Sequence, residues 1–178
     1  MSSRWLSAFI LILVASLMMA RAQTINPGGG SGTGIGVGRV VSNAAPSNPT
    51  GTTSATAVMM GLGVAGAQTC SITPQFSTRV LFSIQGNAIQ ATVSNTTTVA
   101  LRTGTGTPPA NQAALTGVLQ TNPTNHIAAV ASTGSAFNHV SIVTGLAIGV
   151  LVWFDMQVSS AGGGLGSINS ITCNAAEL

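Results

Sequence analysis

What most limits the folds open to this chain is the texture of its apolar residues. From Ala57 onward they fall into short runs broken by turn residues, and no stretch carries a helical period with caps at both ends. Val80, Phe82 and Ile84 alternate with Leu81, Ser83 and Gln85, the period of two that turns one set of side chains inward on a half-buried strand. The pattern predicts strands over 57–60, 68–73, 78–89, 97–103, 113–119, 126–131, 136–144, 150–158 and 167–176. Turns are signalled by the glycines and prolines of 104–109, by Asn122-Pro123, by 145–149 and by 162–164. The fold class is therefore all-β, a single antiparallel sandwich over 57–178. The most apolar internal segment, 142–154, has 13 residues before Asp155 and holds Gly145 and Gly149. It is short of the roughly 20 residues that span hydrocarbon and reads as two buried strands around a turn. On such a strand Trp153 and Phe154 point to opposite faces. One of them lines the core, and the other is covered by a loop or a neighbouring subunit, or exposed as a stacking platform for a ligand.

Ahead of the domain, Arg4 precedes an almost unbroken apolar stretch, 6–20, and then Ala20-Arg21-Ala22. Charge, apolar core and a small-residue site in that order read as a signal peptide, 1–22, cut before Gln23. This is the chain's one expected encounter with a membrane, and it places the mature protein in a secreted or periplasmic location. Residues 23–56 are rich in Gly, Ser, Thr, Asn and Pro and read as a flexible low-complexity leader, because so few large apolar groups cannot offset the entropy lost on ordering. Both cysteines, Cys70 and Cys173, fall in the exported part. An even count outside the cytosol makes a disulfide the default, and two reduced, buried thiols are the alternative. A bond would join the two ends of the domain and require the first and last strands to be neighbours.

Charge excludes several functions. After cleavage Arg39, Arg79 and Arg102 face Asp155 and Glu177, with no lysine. Three scattered arginines cannot supply the phosphate contacts of nucleic-acid binding. Gly61-Leu-Gly63-Val-Ala-Gly66 satisfies G-x-G-x-x-G, but no helix signal follows and position 86 is glycine where a ribose-binding acid would stand. Two acids without a helper do not make an acid–base pair, and Asp155 reads as a strand residue satisfied by Arg79 or Arg102, or facing solvent. His126, His139 and Asp155 are the one conceivable metal set, from separate strands without a spacing motif, and both histidines read as strand-surface or loop polarity. No G-x-S-x-G elbow accompanies the serines. No enzyme, cofactor or metal is expected.

The stretch Thr144-Gly-Leu146-Ala-Ile-Gly149-Val-Leu-Val152-Trp153-Phe154, a Gly-rich turn and a closing strand ending Ala176-Glu177-Leu178 resemble the last two strands of C1q/TNF-like jelly-roll domains. With Val58 to Gly63 and Leu101 to Gly106, the domain also resembles small uncharacterised bacterial and prophage-associated β-proteins. The turn Leu146-x-x-Gly149 is similar to the corner of a fibronectin type III domain, which belongs to the same sandwich class. The first resemblance implies adjacent first and last strands and a trimer. The expected function is a non-enzymatic structural or adhesive module that forms homo-oligomers. The alternative is a carbohydrate- or surface-ligand-binding module that stacks its ligand on Trp153 or Phe154.

Overall fold

Val80, Phe82, Ile84 and Ala88 are buried while Leu81, Ser83 and Gln85 between them are not, and the same alternation along other strands folds two sheets over one interior. The computed structural model describes residues 40–44, 47–64 and 70–178, and every described element is a strand, turn or loop. The signal peptide 1–22 and the leader residues 23–39 lie outside the described residues.

Ten strands follow in order: β1 (Val40–Ala44), β2 (Val58–Met59), β3 (Ser71–Ile72), β4 (Val80–Gln90), β5 (Thr96–Thr105), β6 (Val118–Leu119), β7 (Thr124–Ile127), β8 (Gly134–Val143), β9 (Val152–Ala161) and β10 (Gly166–Glu177). All pairings are antiparallel. One sheet has the order β1-β10-β4-β8; the other runs β2-β9-β5-β6, with β3 also on β9 and β7 also on β5. From β4 to β5 and from β7 through β8 and β9 to β10 the chain changes sheet at every connection, a path compatible with a jelly roll.

The core lies between the sheets. Phe82 of β4 meets Phe154 of β9 at 5.0 Å between ring centroids, amid Ile84, Leu101, Met156, Val158, Ile168 and Ile171. β9 is buried along both faces: Val152, Phe154, Met156 and Val158 join the core, while Trp153, Asp155 and Gln157 on the other face are covered from outside. Cys70 and Cys173 are bonded, with Cα atoms 5.6 Å apart.

Two expectations change. Val40–Ala44 pairs with β10 and Thr52 bridges to Gly166, inside the segment read as a flexible leader. The edge of β10 offers main-chain donors and acceptors that two β-branched residues, Val40 and Val41, can take up without a core of their own. The disulfide also does not join sheet neighbours. Cys70 leads into β3 of one sheet and Cys173 lies in β10 of the other, so the bond crosses the interior, and β1 is the early strand beside β10.

Candidate functional site

Trp153 and Phe154 do point to opposite faces, but neither is open to a ligand, with 2% and 0% of their surfaces exposed. Phe154 is core. Trp153 lies outside the six-stranded sheet, directly across from Gly104, where a Cβ would overlap the indole, and its Nε1–H donates to Thr105 O at 3.3 Å. A glycine opposite lets the ring lie flat on the strand, and Gly117 of the following loop sits against the far end of the indole, where a Cβ would overlap it. The stacking platform expected from these two residues is therefore absent from the folded chain, for a reason of packing.

Asp155 is fully buried, and backbone rather than an arginine satisfies it. Its Oδ2 accepts Gly61 N–H at 2.9 Å, and its Oδ1 accepts Leu62 N–H at 3.1 Å and Met156 N–H at 2.7 Å. Burial pushes its pKa up to about 6, and these N–H groups hold it from rising further. The Arg102 guanidinium, one strand across, clamps the 116–117 loop instead, donating to Thr116 O, Gly117 O and Gln157 Oε1 at 2.7–2.8 Å. Glu177 is likewise taken up, accepting the N–H groups of Gln75 at 2.5 Å and Phe76 at 2.9 Å.

The two histidines are joined, which their sequence spacing did not announce. Thr121 Oγ1 accepts Leu101 N–H at 3.0 Å and is also paired with His139 Nδ1 at 2.7 Å. His139 Nε2 pairs with Thr124 Oγ1 at 3.0 Å, Thr124 Oγ1 with His126 Nε2 at 3.2 Å, and His126 Nδ1 with Ser135 Oγ at 3.1 Å, while the Thr124 hydroxyl also reaches Val99 O at 3.5 Å. A pair of neutral tautomers can satisfy both rings within this chain. Burial lowers both histidine pKa values, and the charge of His126 lowers that of His139 further. Phe137 lies against both rings, at 6.3 and 5.9 Å. Ser135 with His126 has the contact of a nucleophile and its base. Behind His126 stand a hydroxyl and a second imidazole, and among the described residues no carboxylate is paired with it to stabilise an imidazolium. Asp155 is held in its own backbone cradle, and no three His, Cys, Asp or Glu residues gather into a metal set among the described residues.

The outer face of the four-stranded sheet is an open surface. Register places Val40, Ala176, Leu81 and Ile142 side by side across all four strands, then Asn174, Ser83 and Val140, then Thr172, Gln85 and Asn138. None of these residues is charged. Val40, Val140 and Ile142 are 61%, 48% and 50% exposed. At the polar end a bulge between Asn169 and Thr172 opens a recess of about 280 Å³ lined by Gln85, Asn87, Ser170 and Thr172 among others. Compared with protein-family models and with the curated proteins, the chain matches none.

Proposed function

We propose that the chain is a secreted or periplasmic structural or adhesive module, non-enzymatic, that works as an assembly of identical copies. The observation carrying this reading is the outer face of the sheet β1-β10-β4-β8, a four-strand surface without charge whose first row is Val40, Ala176, Leu81 and Ile142. Covering the exposed parts of Val40, Val140 and Ile142 contributes about 1 kcal/mol each, with no charge to desolvate. The strand order supports a jelly roll of the C1q/TNF-like kind, which favours a trimer by analogy. The cross-sheet disulfide supports export to an oxidising compartment. Occupied acids and the internally satisfied histidine chain support a role without catalysis.

Sedimentation equilibrium on the purified chain tests the assembly. At tens of micromolar the wild type is expected above monomer mass. Ile142→Lys, which sets a cation in the aliphatic row, is expected to return it to monomer with its β-sheet circular dichroism intact. A wild type that is monomeric throughout overturns the reading.

A further inference from the structure

A break in β10 gathers polar groups that the fold itself does not use. The register slips between Asn169 and Thr172, and Ser170 at the slip takes φ +50°, a left-handed conformation that side chains rarely adopt. Here lies the recess of about 280 Å³, whose polar lining is Gln85, Asn87, Ser170 and Thr172 and whose apolar lining includes Ala136 and Phe137. None of the four polar side chains makes a hydrogen bond among the described residues. One row away the same face spends its polar groups on each other, with Ser83 Oγ donating to Asn138 Oδ1 at 3.3 Å. Asn169, the register partner of Asn87, carries the one buried side-chain oxygen or nitrogen without a hydrogen-bond partner among the described residues, its Oδ1. Buried acceptors are nearly always met, so this one marks a place where a donor is due. Strain at Ser170 and an unmet acceptor beside it both weaken the fold, and such costs collect where a site has work other than folding.

We propose that this recess binds one ring of an uncharged sugar. Hydroxyls and amides set donors and acceptors side by side, and a sugar answers both from each of its hydroxyl oxygens. The ligand is neutral, because no charged residue lines the recess to offset the desolvation of an ion. It is small, because the volume stands at the low end of small-molecule sites, roughly 300–1,000 Å³. It has a non-polar side for Ala136 and Phe137, which the C–H face of a sugar ring supplies. Asn169 Oδ1 is enclosed, so its amide turns toward the recess as the ligand enters and takes a hydroxyl as its missing donor. The site lies four residues along β4 from Leu81 of the aliphatic row, about 13 Å away, and does not depend on self-association.

The test is a nitrogen–proton correlation spectrum of the purified chain, titrated separately with glucose, galactose, mannose and N-acetylglucosamine. At least one of these is expected to move the side-chain amides of Gln85, Asn87 and Asn169 saturably, with a dissociation constant in the millimolar range that suits a single ring. Gln85→Ala with Thr172→Val is expected to weaken that binding about tenfold or more with the rest of the spectrum in place, whereas Asn125→Ala on β7 leaves it unchanged. Asn169→Leu separates a binding role from a structural one: losing the unmet oxygen is expected to raise the denaturant midpoint while weakening the sugar. Acetate at the same concentrations is expected to move none of the three amides. No saturable shift with any of the four sugars overturns the proposal and leaves the recess to ordered water only. Binding that survives the double variant, Asn169→Leu binding as wild type does, or equal shifts with acetate also overturns it. Because the amides report this site alone, each of these failures leaves the assembly reading untouched.

Discussion

Asp155 is a carboxylate held by three backbone N–H groups at the centre of a buried strand, and its response to pH has a definite sign. Its folded pKa, about 6, lies above the ordinary 3.8, so between those values the folded chain holds a proton that the unfolded chain has lost. Its contribution is greatest below about 3.8 and is lost as pH rises through 6, a change of roughly 3 kcal/mol. The histidines act in the opposite direction. Their folded values lie below 6.5, so their contribution is complete above 6.5 and is lost as pH falls. In Asp155→Asn the histidine slope is unmasked, and stability measured by thermal denaturation is expected to rise with pH from 4 to 6.5 more steeply than in wild type. An unchanged slope would assign the linkage to another group. The cradle was not legible in the sequence, because backbone donors from 61–62 leave no residue-type signature. Composition offered only arginines as partners for the acid.

At the scale of elements, the histidine chain ties β7 of one sheet to β8 at the edge of the other, with Thr124 Oγ1 as its hub. Thr124→Val keeps the shape and removes both bonds at once. Leaving the nitrogen of buried His139 unmatched is expected to cost about 1–2 kcal/mol, the partly exposed His126 finding water instead. Amide exchange should quicken in β7 and β8 while the β4–β10 ladder keeps its protection, and uniform loss across all strands would contradict a local tie. The long strands were legible, since β4, β5, β8, β9 and β10 all coincide with runs of alternating or apolar residues. The short ones were harder. The run 113–119 is strand only at Val118–Leu119, because Arg102 and Thr103 of β5 are the pairing partners within reach. Val40–Ala44 was hidden because it owes its structure to the edge of β10 rather than to an apolar face of its own. The two-sheet class followed from periodicity, whereas the orientation of Trp153 toward Gly104 and the convergence of His126 and His139 on Thr124 needed the register between strands distant in sequence.

For the molecule as a whole, one covalent bond crosses between the sheets, and it closes a loop of 103 residues. Cys70→Ser with Cys173→Ser is expected to lower the unfolding free energy by about 3–5 kcal/mol, read from the denaturant midpoint, with the β-sheet spectrum retained in water. A midpoint equal to wild type would mean that strand packing alone determines the stability. The same separation sets a timetable for synthesis. At roughly 5–20 residues per second, the first thiol is made about 5–20 s before its partner exists. Through that interval Cys70 has no partner within its own chain, and the closed bond certifies that β10 has reached its place.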